Sequence, residues 1–247
     1  MSSNLWTGKT DGQTGQTDRQ DRRTGKTRMK WRDEMEEIVR YLTSHKEEIL
    51  RASVEHITLS GLAVLIGIGV SLGICILAVM KDADMDKVIN RISFFRLIPG
   101  VAILVVAMPV LGVGFLPALC TLTLVTIPSI LVNLYAGIKN IAADTMESAK
   151  GIGLSRQQIL FQIQLPMAKP FLLLGIRTAI VDAVTIAAVA SLMGAGGLGR
   201  YVMTGLTIND SRLVVIGGIL ITAMALAGEI LFGWMQRSLE YKYTGRH

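Results

Sequence analysis

Three short stretches carry spacings used in nucleotide chemistry. Residues 194–199, GAGGLG, set Gly194, Gly196 and Gly199 at the intervals of a dinucleotide-binding loop, whose backbone must approach a pyrophosphate. TGKT at 7–10 and TGKTR at 24–28 have the Lys-Thr ending of a phosphate loop. Both lack the first glycine at the required offset and a preceding strand, so neither is expected to hold ATP. No H-E-x-x-H or G-x-S-x-G occurs. Cys75 and Cys120 lie singly in apolar runs, and His45, His56 and His247 are dispersed, so no metal spacing forms. No enzyme chemistry, metal or cofactor is expected. What remains is Asp182, an ionisable group in the middle of an apolar run, and a polar stretch at 139–170.

The elements that must position these residues are membrane helices. Of the 247 residues, 51% are hydrophobic and only 18% charged, against roughly 25% in soluble domains. The charges gather in residues 1–55, in short connections and at the C-terminal end. Crossing a bilayer takes about 20 mostly apolar residues. Five runs meet that length: 57–80, 92–111, 116–138, 171–192 and 213–235. Pro109 and Pro128 fall inside spans, where neighbouring helices can satisfy the freed carbonyls. Small residues recur, as in GIGVSLG at 67–73, and permit close packing of helices. The fold class expected is therefore all-α, a polytopic membrane bundle.

Residues 1–30 are rich in Thr, Gly, Gln, Asp and Arg and read as a disordered tail. Their repetitiveness suggests translation from Met29 or Met35. Residues 31–55 read as an amphipathic helix at the interface, and 239–247 as a cytoplasmic tail. The net charge of +6 comes largely from the first segment, so no nucleic-acid partner is expected. Most loop Lys and Arg residues, among them Lys81, Arg96, Lys139, Lys150, Arg156 and Lys169, lie on the side of 139–170; the opposite loops hold Arg200 and Arg212. The positive-inside rule places 139–170 in the cytoplasm.

Within 139–170, Asp144 or Thr145 can cap a helix through Lys150 and Ser155 a second helix over 156–165, with Ile159, Leu160 and Ile163 on one face. Gly151 and Gly153 interrupt the two, and Pro166 and Pro170 stop the second. A helix–turn–helix of this kind suits docking on a partner protein. The residues are Glu147-Ser148-Ala149, then Gly153, then Ile163-x-Leu165-Pro166 ten residues later. This resembles the E-A-A-x3-G-x9-I-x-L-P motif of the membrane subunits of bacterial ABC importers. Six of the seven motif positions match, with Ser148 in place of alanine. The resemblance covers about 35–240. FFRLIPGVAILVVAMPVLGVGFLPALCTL at 94–122, NLYAGIKNI at 133–141 and GIRTAI with SLMGAGGLG in 175–199 are most similar to permeases for glycine betaine, carnitine and choline.

That resemblance implies a type I importer permease in a bacterial cell membrane. The motif residues would form the coupling helix on a cytoplasmic ATPase dimer, with a second permease copy, identical or paralogous, and an extracytoplasmic solute-binding protein. ATP hydrolysis would belong to the partner. A methionine-type amino-acid importer permease is the alternative within the family; a membrane-embedded enzyme or anchor is the alternative outside it. Asp182 must face the bundle interior or a water-filled path, because a charge at the bilayer centre costs roughly 2.5–3.5 kcal/mol. It reads either as a lining of the translocation path or as a structural hydrogen-bond partner. Arg177 reads as a residue that snorkels and Glu229 as a packing or topology residue. GAGGLG follows an apolar helix rather than a strand, so its dinucleotide spacing is expected to be a false positive, serving helix termination and tight packing at the outer mouth.

Overall fold

A computed structural model of the chain describes residues 35–81 and 83–244. The expected tail at 1–30, a start at Met29 and residues 245–247 fall outside this range. Among the described residues there is no strand. Residues 35–44 are helical and end in a turn at His45, whose ring stacks on Tyr41 at 4.1 Å.

The bundle begins with α1, Lys46–Met80. α1 runs unbroken across residue 56. No proline, glycine or side-chain stop lies between 46 and 57, and ending a helix there would strand carbonyls. α1 is about 52 Å long at 1.5 Å per residue, well beyond a hydrocarbon core of about 30 Å. The next apolar run differs from its expectation. Instead of one span over 92–111 there are α2, Met85–Phe95, and α3, Gly100–Leu111, bent 81° to one another. Pro99 caps α3 and forces Ile98 out of the helical region. Twelve residues of α3 reach only about 18 Å, so α2 and α3 make at most one broken crossing.

α4 is Phe115–Lys139 with Pro128 inside it. α5, Ala143–Gly151, and α6, Arg156–Ile159, form the polar connection. α6 runs on through a π turn, Leu160–Gln164, and Leu165–Met167 into α7, Lys169–Ala190. A helix not anticipated from sequence, α8, Gly199–Ile208, precedes α9, Ser211–Thr244. Among the described residues four helices, α1, α4, α7 and α9, are long and apolar enough to cross a membrane, and counting the bent pair as one broken span makes five.

The core is stacked in three layers. At one end Leu59 and Ala63 of α1 meet Leu104, Leu122, Ala187 and Met193. In the middle Val64 meets Ile130, Ile176, Ala179 and Ala183. At the other end Cys75 packs with Ile89, Leu131, Leu134 and Ala168. α4 and α7 form the most extensive pair. Polar side chains within the spans bond to backbone carbonyls: Thr126 Oγ1 donates to Thr123 O at 2.8 Å, and Ser71 Oγ to Ile127 O at 3.3 Å. At the end of the third layer Lys139 Nζ bridges α4 to Asp86 of α2 at 2.8 Å.

Arg177 of α7 is ion-paired with Glu229 of α9, both only partly exposed. Neither charge is at home in hydrocarbon alone. Arg177→Met or Glu229→Gln alone is expected to lower the stability of the purified protein by roughly 2 kcal/mol, a value discounted for partial exposure. The double variant Arg177→Met, Glu229→Gln is expected to cost less than the sum. Unfolding in detergent, run as a double-mutant cycle, measures the difference.

Candidate functional site

The polar connection exposes Glu147, Ser148 and Gly153 of its motif and half-buries Ile163, Leu165 and Pro166. α5 starts at Ala143, without a side-chain cap; Ala142 holds the position expected for Asp144 or Thr145. Asp144 instead lies in the first turn, where its charge suits the helix dipole. Glu147 and Ser148 are exposed while Ala149 is 3% exposed. Glu147 has no ion pair among the described residues, with Lys150 or any other cation. α5 ends in a left-handed turn at Gly153, φ +80°. Gly153 N–H donates to Lys150 O at 3.0 Å and Leu154 N–H to Ala149 O at 3.2 Å. These two bonds make a Schellman cap, which satisfies carbonyls that α5 would leave open.

Ser155 then starts α6 in a reciprocal capping box. Its Oγ accepts from Gln158 N–H at 3.3 Å, and its N–H donates to Gln158 Oε1 at 2.8 Å. Ile159 and Leu160 are buried, and Ile163 is half-buried. Pro166 does not stop the helix. It lacks the N–H that would meet the Gln162 carbonyl, and the π turn absorbs this by letting Leu165 N–H reach Leu160 O. Leu165 packs against the third core layer beside Ala168. Gly153 and Glu147 therefore sit on an exposed lobe, and Leu165 and Pro166 tie it to the foot of α7.

The second site surrounds Asp182, midway along α7. Ser129 Oγ of α4 donates to Asp182 Oδ2 at 2.9 Å. Both line a cavity of about 240 Å3, at the break between α2 and α3, whose walls include Arg96, Pro99, Leu124 and Pro128. Arg96 therefore belongs to this cavity and not to a plain connecting loop. Pro128 supplies no N–H for the Leu124 carbonyl, and both residues lie on the wall. Among the described residues the Arg96 guanidinium has no hydrogen-bonded or ionic partner. The sequence signal for this site was Pro99-Gly100, a turn dipeptide inside an apolar run.

The glycine-rich segment is a structural clamp. Gly194, Gly196 and Gly197 have φ of +73°, +80° and +85°, values that favour glycine. The turn directs Gly197 N–H to Glu55 Oε2 at 3.1 Å and Leu198 N–H to His56 Nδ1 at 3.3 Å. With Nδ1 accepting, Nε2 carries the proton and donates to Val184 O at 3.0 Å. His56 is 1% exposed and so ties α1 to α7 and to the turn. Nothing in its sequence context signalled this role. His56→Leu is expected to lower stability by about 1–3 kcal/mol, because the buried Leu198 N–H loses its acceptor. Thermal unfolding of the purified protein checks this.

Residues 64–244 match the family described as binding-protein-dependent transport system inner membrane component. The choline transport system permease protein OpuBB of Bacillus subtilis is 33% identical over 83% of this chain and 94% of its own length. The glycine betaine/carnitine/choline transport system permease protein OpuCB of the same organism is 31% identical over 84% of this chain and 96% of its own. The carnitine transport permease protein OpuCB of Listeria monocytogenes is 31% identical over 85% and 94%. Among solved structures, the MetNI methionine ABC transporter in an inward-facing form superposes with a TM-score of 0.67 at 19% identity, covering 77% of this chain and 95% of that one. An amino acid ABC transporter gives 0.66 at 18% identity, over 80% and 97%. These two show a shared fold. A bundle of four or five crossings, a polar connection bearing the importer motif, and a family match over most of the length together identify the chain as a member of the binding-protein-dependent transport system inner membrane components, a permease subunit rather than an enzyme.

Proposed function

We propose that this permease forms the translocation path for a small quaternary-amine osmoprotectant, the class of glycine betaine, carnitine and choline, and that α5 with the Gly153 turn is its docking element for a cytoplasmic ATPase. The observation that carries the coupling role is the lobe itself. Glu147 and Ser148 point away from the bundle on a helix with a fixed end, and Leu165 and Ala168 root the lobe in the core beneath α7. A force applied at α5 thus reaches α7, the helix that bears Asp182. The substrate class is supported by the relatives' names, each covering more than nine tenths of its own length. The methionine transporter's likeness is one of fold at 19% identity and does not favour that solute.

On this reading the 139–170 side is cytoplasmic, and the ends carrying Gly114 and Met193, joined by a backbone hydrogen bond, face outward. A solute-binding protein delivers the solute there. A second permease copy completes the path, and ATP-driven closure of the ATPases moves the two lobes and switches access. No covalent step occurs in this subunit. Asp182 lines the path.

The test is uptake into proteoliposomes containing the permease, its ATPase and its binding protein. ATP-dependent accumulation of glycine betaine, carnitine or choline, and none of methionine, is expected. Failure to accumulate any quaternary amine sinks the substrate assignment. Asp182→Asn is expected to lower uptake by about tenfold, the value of one charge-assisted contact, with assembly unchanged. Unchanged uptake would remove Asp182 from the path.

A further inference from the structure

We infer that the cavity at the α2–α3 break is a subsite for a zwitterion, holding a solute carboxylate at Arg96 and its quaternary ammonium at Asp182. The inference rests on the importer reading and narrows its substrate class. Arg96, an exposed residue, and Asp182 both line the cavity, and no ion pair joins them: Asp182 is met by the Ser129 hydroxyl at 2.9 Å. Two residues of opposite charge on the lining of one cavity, not closed on each other, can together meet a molecule with both charges of its own. Each uncompensated charge is costly within the membrane's thickness, so a zwitterion that meets both is favoured over a simple cation that meets only one.

The other walls agree with this assignment. Phe95 lines the same cavity and offers the kind of aromatic surface that attracts quaternary ammonium groups. At about 240 Å3 the space lies below the roughly 300–1,000 Å3 of drug-sized pockets and takes a compact solute. Choline has the cationic head without the carboxylate. It engages the Asp182 side and leaves Arg96 unmet. The carboxylate-bearing amines are therefore the preferred solutes of this subsite.

The experiment reads binding without transport. In a Cys75→Ala, Cys120→Ala background, Ile103→Cys or Leu124→Cys places one thiol on the cavity wall. The permease–ATPase complex in nanodiscs is labelled with a small water-soluble thiol reagent. Glycine betaine is expected to slow labelling at a concentration about tenfold below that of choline, the difference made by one charge-assisted contact. Arg96→Gln is expected to abolish that difference, Arg96→Lys to retain part of it, and Asp182→Asn to weaken both solutes. Equal protection by the two solutes, no protection by either, or betaine protection unchanged in Arg96→Gln overturns the subsite. Absence of labelling at both positions also overturns it, since a cavity closed to the reagent's water is closed to the solute. Any of these results beside positive quaternary-amine uptake by the complete transporter defeats the subsite alone; absent quaternary-amine uptake defeats the substrate assignment on which the subsite rests.

Discussion

Gly153→Val is expected to cut ATP-dependent uptake by about tenfold or more while leaving the amount of protein in the membrane unchanged. The effect is one of backbone conformation. A Cβ on Gly153 would meet nothing within 4 Å, but φ is +80°. A side chain in the left-handed region costs roughly 1–2 kcal/mol, and a β-branched one is a genuine outlier there. That energy shifts the turn away from its Schellman geometry by about a factor of ten. The cap on α5 opens, and Ser155 no longer starts α6 at the same angle. In the proposed docking role, Glu147 and Ser148 are then presented in the wrong orientation. Because Gly153 is exposed, the three core layers feel little of this. Gly151→Ala is the control. Gly151 lies in α5 without a positive φ and with open space around it, so alanine there is expected to be neutral or slightly stabilising. Uptake and solute-stimulated ATP hydrolysis in proteoliposomes separate the two variants. Co-purification with the ATPase tells a docking defect from a gating defect. Equal behaviour of the two variants would refute the role given to the turn.

Gly199→Ala is expected to have the largest effect on folding. An added Cβ would lie 1.9 Å from the Ala188 carbonyl oxygen and 2.6 Å from Ser191 Oγ. The nearest obstacle is backbone of α7, which no rotamer change can move. Overpacking costs typically 1–3 kcal/mol, and a clash with a helix carbonyl puts this case at about 3 kcal/mol or above. The shift would also drag Leu198 N–H off His56, so the loss combines packing and a buried hydrogen bond. A several-fold fall in membrane abundance and an earlier unfolding transition are expected. Gly218→Ala, on α9 with nothing within 4 Å, should leave both unchanged. Comparable stability of the two variants would show that α8 is not seated as described.

The contrast between these glycines also shows how far the sequence reaches. Gly194, Gly196 and Gly199 have a dinucleotide spacing, yet their setting after an apolar helix excluded that chemistry. What they do instead, turning the chain onto Glu55 and His56, was legible only as tight packing. The partners lie more than a hundred residues away on α1, and no local pattern records a pairing of that kind.

The helices α1, α4, α7 and α9 were readable because length and apolarity are local quantities, and a bilayer enforces them residue by residue. The turns of the 139–170 connection were readable for a similar reason. Capping boxes and glycine turns are written within a few residues, so Ser155, Gln158 and Gly153 announce themselves. The first cap was misplaced onto Asp144 or Thr145 because the backbone leaving α4 began α5 a few residues early, at Ala143. Pro166 was read as a stop because a proline's missing N–H is local, whereas the π turn that accommodates it belongs to a helix held at both ends.

The sequence by itself thus determined that this is an all-α membrane permease, where its long crossings run, and where its polar helix–turn–helix connection lies. The tertiary structure alone decided that the second crossing breaks at Pro99, that Arg96 and Asp182 share a cavity, that Arg177 pairs with Glu229, and that His56 clamps the glycine turn. Each of these depends on which groups a distant helix offers to a charge, a proline or an open N–H. In the low dielectric of the membrane that supply of partners sets the energy, and it exists only once the helices have packed.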